Sequence, residues 1–169
     1  MMGAQPSFPG WRLAAQFHAA PAPAGWREAL AARLGQRPRR LGRWAELVLY
    51  GARQCLDAAG EPVLPAGALL RVSTLYGTQS ATRASAQQCQ AGLPMPFTFM
   101  QSQPAQMLAA LALHLGWRGD ASFITGRDAP ALPRMALHEA AACHAPALLV
   151  GRAQEQGDLL ETEWSLWRR

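Results

Sequence analysis

The sequence predicts one α/β domain built on a mostly parallel, mixed sheet of about five strands, with helices on both faces. Segments with the character of strands alternate with helical segments along the chain, and several strand segments are apolar without alternation. Strands of that kind are buried on both faces, as in a parallel sheet covered by helices. The 169 residues, half of them hydrophobic, suffice for one buried core, so we expect residues 1–169 to form a single domain.

The first half of the chain already shows this alternation. Trp11–Phe17 predicts a first strand, and Gly25–Leu34 predicts a helix because its apolar residues recur at helical spacing. Leu41–Ala59 is the clearest helix, since its apolar residues share one face and Gly60 supplies a stop signal. Leu69–Leu75 then predicts a buried strand.

The second half begins with a polar helix over about Gln79–Gln90. Leu93–Pro104 is punctuated by proline, which predicts an extended segment. The elements expected after it alternate again, and they are the helix Ala105–Leu115, the strand Ser122–Thr125, the helix Ala131–His144, the strand Ala147–Gly151 and the strand Leu159–Trp167.

Composition excludes some functions. The formal net charge is +5 and the chain has no lysine, so Schiff-base chemistry on a lysine is excluded. The dense basic cluster, Arg37–Arg40 with Arg43 one turn further on, is not followed by a stripe of interleaved aromatic residues. We therefore expect no nucleic-acid binding, whereas an acidic protein partner fits the cluster.

Location and metal binding follow from similar observations. The sequence offers neither a run of about 18 apolar residues nor a signal peptide, so we expect no membrane span and a cytoplasmic location. Cys55, Cys89 and Cys143 are widely spaced, which predicts buried free thiols. His138 and His144 do not have the spacing of a His-Glu-x-x-His zinc motif, so we expect no metal and no cofactor.

Four segments, taken in order, resemble the N-terminal half of a β-ketoacyl synthase, a member of the thiolase-like superfamily. They are the basic Arg39–Arg43, the strand and Gly/Thr turn Leu69–Gly77, the segment Phe97–Gly119 with its Leu-Gly-x-x-Gly end, and the apolar strand Leu148–Gly151. Glu155 lies near the position of an acidic residue usual in that family. The resemblance runs from about Arg39 to Asp158 and implies a thiolase-like half-fold.

The resemblance also shows a departure at the nucleophile. In the family, the strand matching Ser122–Thr125 delivers a reactive cysteine at a turn, and here that position falls near Asp128. A carboxylate lacks the nucleophilicity of a thiolate, and Cys143 lies about four helical turns further on. The family's catalytic histidines come from a C-terminal half that the resemblance does not cover. We therefore expect no catalysis by this chain alone.

The same resemblance implies a partner. In the family, the helix matching Ala131–His144 packs against its counterpart from the other half, so we expect an open apolar face on it. The family also pairs the strand before the nucleophile across a dimer, which makes Phe123–Thr125 an edge strand that needs a partner. The implied assembly is a heterodimer with a catalytic ketosynthase.

The function implied is that of a chain-length-factor-like subunit in polyketide or fatty-acid-type biosynthesis, such as that of aryl polyene pigments. The residues that the resemblance places at the partner's acyl tunnel or at the interface are Phe97, Phe99, Met100, Gln101, Met107, Phe123, Ile124 and Thr125. Those that it places against an acidic acyl carrier protein are Arg39, Arg40 and Arg43. Equally, Phe97, Phe99 and Met100 fit this chain's own core, and the arginines fit the solvated start of a helix.

Two other functions stay open. One is a degenerate thiolase-like scaffold without substrate contact, which is favoured if Phe99 and Met100 point into the core. The other is a small enzyme that uses Asp128 as a general base, which requires a buried carboxylate with a histidine or arginine partner.

Overall fold

The computed structural model describes residues 8–93, 95–126 and 131–169. The strands are β1 (Arg12–Ala19), β2 (Leu69–Thr74), β3 (Ala121–Thr125), β4 (Ala147–Gln156) and β5 (Leu159–Arg168). The helices are α1 (Trp26–Leu34), α2 (Arg43–Ala58), α3 (Gln79–Gln90), α4 (Pro96–Gln101), α5 (Pro104–His114) and α6 (Ala131–Ala142).

The five strands form one sheet in the order β1-β5-β4-β2-β3. Strand β2 pairs in parallel with both β3 and β4, whereas β5 runs antiparallel to its neighbours β4 and β1. Helices lie on both faces, with α2 and α5 on one and α6 on the other. The predicted α/β class with a mixed sheet of five strands is therefore confirmed, with two parallel and two antiparallel pairings.

Helix α2 lies at the centre of the larger core. Every residue from Trp44 to Arg53 is buried, because the sheet, α1 and α5 surround the helix. The helix approaches the sheet so closely at Gly51 that a Cβ there would lie 2.3 Å from Thr162 Oγ1. Trp164 fills the space beside it and donates its indole N–H to the same oxygen at 2.9 Å. This glycine is required by packing rather than by backbone conformation.

Helix α6 covers the opposite face through a smaller apolar cluster. Leu132 and Leu137 of the helix pack with Leu148 and Val150 of β4. The exposed side of α6 mixes the polar Arg134, His138 and Glu139 with small apolar residues, and Met135 is its one exposed large apolar side chain. The open apolar face expected on this helix stays a prediction.

The face of the sheet beyond α6 carries a row of mostly polar side chains. One row of side chains crosses the five strands in register, from His18 through Glu163, Arg152 and Ser73 to Ile124. Four of these five residues are polar and suit contact with water. A cleft of about 250 Å³ lies between this row and the start of α6.

A buried arginine fastens α6 to the sheet. Arg71 of β2 is 2% exposed. Its guanidinium donates to both carboxylate oxygens of Glu139 on α6, at 2.9 and 2.5 Å, and to both carboxylate oxygens of Asp120, at 3.2 and 3.1 Å. The hydrogen bond from Arg71 is the main reason that the pKa of Glu139 lies below its ordinary value.

Two expectations from the sequence need correction. The segment Leu93–Pro104 is not extended, because Pro96 begins α4 and Pro104 begins α5, at positions where the missing N–H costs nothing. Strand β4 continues past Gly151 to Gln156, because its polar second half pairs with β5 through a hairpin at Gly157.

Within the described chain, no helix is long and apolar enough to cross a lipid bilayer.

The cysteines also differ from the expectation of buried thiols. Cys55 is buried, and burial raises the pKa of its thiol to about 12, so the thiolate is scarce at neutral pH. Cys89 on α3 and Cys143, in the turn just after α6, are free and exposed.

Candidate docking surface at the carboxyl edge of the sheet

A compact group of exposed apolar side chains surrounds α4. No residue of α4, all of which the structure describes, is buried. The exposed fractions are 69% for Leu93, 52% for Met95, 51% for Phe97, 58% for Phe99 and 39% for Met100. We call these five residues the α4 surface. Large apolar side chains clustered in this way are typical of a site that another molecule covers.

Helix α4 is held by two neighbouring parts of the chain. Thr78, the residue before α3, donates its hydroxyl to the carbonyl of Ser102 at 2.7 Å. The Gln101 amide donates to the carbonyl of Leu41 at 3.5 Å, and the same side chain lies against Gly42. Gln101, predicted to lie at the tunnel or interface, is thus half-buried and supports α4 from below.

Edge strand β3 lies at the same end of the sheet. Its last residue, Thr125, pairs with Thr74 of β2, and the N–H of Gly126 donates to the carbonyl of Thr74 at 3.1 Å. Phe123 turns inward and packs edge-on against Trp44, with 5.6 Å between the ring centroids. Ile124 and Thr125 are exposed, so the end of β3 adds a backbone edge and two side chains to the outer surface.

The chain between β2 and α3 links these parts, and one buried amide holds it. Gln154 of β4 accepts hydrogen bonds at its Oε1 from the hydroxyl of Thr74 at 3.1 Å and from the backbone N–H groups of Leu75 and Tyr76 at 2.9 and 3.4 Å. Sequence reasoning missed Gln154, since it lies beyond the predicted end of its strand. A glutamine inside a strand that is otherwise buried was the available signal.

The three arginines of the predicted carrier-protein contact do not act together. Arg40 is exposed and lies over the ring of Phe97, with 5.1 Å between its guanidinium carbon and the ring centroid. Arg39 is exposed beside α5. Arg43 turns away to the β4–β5 hairpin, 3.8 Å from a carboxylate oxygen of Glu155 and 3.7 Å from one of Asp158.

The remaining predicted residues are placed as follows. Met107 of α5 is fully buried in the larger core, so it does not line the α4 surface. Asp128 lies outside the described residues. His138 contacts the ring of Phe8, and His144 lies 3.4 Å from a guanidinium nitrogen of Arg169. In the described ranges no three His, Cys, Asp or Glu side chains converge as metal ligands would.

Comparison with known proteins identifies the fold. No model of a known protein family matches the sequence, and no curated protein does. Among solved structures, a chain of a ketosynthase in complex with its chain length factor from Xenorhabdus doucetiae superposes with a TM-score of 0.70 at 13% identity, over 94% of this chain and 79% of that one.

Two further structures agree. The ishigamide ketosynthase/chain length factor gives a TM-score of 0.68 at 16% identity, over 83% of this chain and 47% of that one. A type II polyketide synthase acyl carrier protein in complex with its hexaketide-bound ketosynthase gives 0.64 at 10% identity, over 94% and 62%. In these two comparisons the chain spans less than two thirds of its neighbour. The protein therefore has the thiolase-like half-fold found in β-ketoacyl synthases.

Proposed function

We propose that this chain is a non-catalytic, chain-length-factor-like subunit that pairs with a catalytic β-ketoacyl synthase. The observation that carries this proposal is the α4 surface, which stands in water beside an open strand edge. The structural neighbours include ketosynthases solved together with a chain length factor, which supports a partner of that class.

The chemistry of the α4 surface suits a protein partner. Phenylalanine and methionine are enriched in the cores of protein interfaces. Phe97 and Phe99 are each more than half exposed. Burying each such side chain under a partner contributes about 2 kcal/mol, so the α4 surface supplies the apolar centre that a stable complex needs.

The edge of β3 supplies a second contact. A strand at the edge of a sheet presents unpaired backbone N–H and C=O groups, which a partner strand can satisfy. Ile124 is exposed on this strand and lies at the same end of the sheet as the α4 surface. The partner therefore adds a strand beside β3 and covers α4 at the same time.

Within such a complex, Phe97, Phe99 and Met100 wall the partner's acyl tunnel and limit the length of the product. Acyl chains are apolar, and these side chains are apolar and are not packed in this chain's own core. The substrate class is polyketide or fatty-acid type, as in aryl polyene pigments. Arg39, which forms no ion pair within the described residues, is available to an acidic acyl carrier protein.

The test is co-expression with the ketosynthase encoded in the same gene neighbourhood, followed by size-exclusion chromatography with mass detection. We expect a one-to-one complex with the wild-type chain and its loss in the double variant Phe97→Ala/Phe99→Ala. The matched control is Leu113→Ala on α5, which removes an apolar side chain that is 75% exposed but lies outside the α4 surface. A wild-type chain that stays monomeric beside the ketosynthase contradicts the proposal.

Product analysis then separates this function from the scaffold. Met100→Ala should lengthen the product while the complex persists, because it enlarges the tunnel. An intact complex whose product length is unchanged in Met100→Ala and Phe99→Ala would favour a scaffold without substrate contact.

A further inference from the structure

Two described residues other than glycine have a left-handed backbone, Arg40 with φ of 64° and His144 with φ of 55°. Residues with a Cβ avoid this region, and where one occupies it the surrounding structure must compensate for the cost. Such positions therefore ask for a reason, and the two residues have different ones.

The conformation of His144 has a structural reason. It follows the end of α6, its N–H donates to the carbonyl of Ala141, and the next N–H, of Ala145, donates to that of Ala140. A left-handed residue with this pattern of bonds commonly ends a helix. Arg40 ends no helix, since α1 has already stopped at Gly35 and α2 begins after Gly42.

The left-handed conformation of Arg40 places its guanidinium over Phe97, at the rim of the α4 surface. Segment 93–104 contains no charged residue, and Arg40 brings a positive charge onto it by its position over Phe97. Among the described residues Arg40 has no carboxylate partner. A guanidinium stacked on an aromatic ring still presents its edge N–H groups, in a fork that fits a carboxylate.

We propose that Arg40 determines the specificity of the α4 surface by pairing, from its stacked position on Phe97, with a carboxylate of the catalytic ketosynthase. This inference rests on the function proposed above. Arginine beside an aromatic ring is a common centre of binding energy at interfaces, and a charge pair that loses water on docking selects against partners that lack the matching charge.

The test compares two glycine substitutions in the binding of the full chain to that ketosynthase. Arg40→Gly and His144→Gly both relieve a left-handed residue, so both should leave the thermal unfolding midpoint of the free chain equal or higher. Arg40→Gly alone should weaken the complex, by roughly tenfold or more in Kd. His144→Gly is the matched control and should bind as the wild type does.

A second pair of variants keeps the backbone unchanged. Arg40→Gln removes the charge and should also weaken binding, with a Kd that depends less on salt than that of the wild type. Arg40→Lys keeps the charge but loses the planar fork, and its affinity should lie between that of Arg40→Gln and that of the wild type.

The outcomes separate the two proposals. If the wild-type chain binds the ketosynthase and both Arg40→Gln and Arg40→Gly bind equally well, the role of Arg40 is wrong while the proposed function stands. If the wild-type chain does not bind at all, the proposed function fails and this inference fails with it.

Discussion

Helices α2 and α4 represent opposite extremes of burial in one small domain. Every residue of α2 from Trp44 to Arg53 is buried, whereas no residue of α4 is. Yet the two helices are close in space, because Gln101 at the end of α4 lies against Gly42 at the start of α2. A buried helix and a helix without a buried residue are therefore direct neighbours in this domain.

This difference shows that the exposed aromatic side chains do not result from an incomplete core. The α2 side of the sheet is filled by this chain alone, with Trp44 and Trp164 each 1% exposed. The apolar side chains of α4 had no space left to fill there. Their exposure is a local property of one surface, and this is why we assign it to binding.

The largest expected effect tests this contrast directly. Trp164→Ala should lower the free energy of unfolding by about 3–5 kcal/mol, since it empties a closely packed site against Gly51. Phe99→Ala, at a site that is 58% exposed, should change it by less than about 0.5 kcal/mol. Urea denaturation of the isolated chain measures both. A large loss in Phe99→Ala would show that α4 contributes to the core.

A smaller effect is expected where α6 joins the sheet. Arg71→Met should cost about 2 kcal/mol, because it removes the hydrogen bonds to Glu139 and Asp120 while both carboxylates regain water. The matched control is Arg134→Met on the exposed side of the same helix, which should be neutral.

The same variant should also change the pH dependence of stability. Arg71 lowers the pKa of Glu139 from its ordinary value of 4.5. The contribution of this pair to the free energy of unfolding is therefore complete above about pH 4.5, and it is lost as the pH falls through the lowered pKa. Arg71→Met should remove that part of the acid destabilisation. An unchanged slope of unfolding free energy below pH 4.5 would mean that the pair does not couple folding to protonation.

The smallest effect concerns the chain between β2 and α3. Gln154→Met should cost about 1–2 kcal/mol, because three donors around Thr74, Leu75 and Tyr76 lose their acceptor. Amide hydrogen exchange at Leu75 and Tyr76 should become faster. Gln156→Met, at an exposed position of the same strand, should leave both quantities unchanged.

Sequence reasoning predicted the sheet, the strand β3 and the helix α2 well, because their apolar residues follow simple periods. It failed for Leu93–Pro104, since proline is compatible with both an extended segment and the first turn of a helix. It stopped β4 at Gly151 because the strand turns polar there, and pairing with β5 rather than hydrophobicity maintains the rest.

The site was predictable in part. Phe97, Phe99 and Met100 were identified as candidates, but an apolar residue reads the same in a core and in an interface, so their exposure required the structure. Arg71 carries no local signal, because its role depends on partners far away in sequence. The signal at Gln154 was not used, because the strand was predicted to end at Gly151. Arg40 is similar, since a left-handed backbone is usually marked by glycine or asparagine.

Because no residue of α4 is fully buried, most of its sequence contributes little to the folding of the rest of the domain. The fold constrains Pro96 at the start of the helix and Gln101 at its end, and the positions between them are free to vary with the surface that covers them. Exchanging the positions between Pro96 and Gln101 should therefore change the apolar part of the docking surface without refolding the domain, while Arg40, outside the segment, keeps its charge there. Helix α4 can therefore change in sequence while the rest of the domain keeps its structure.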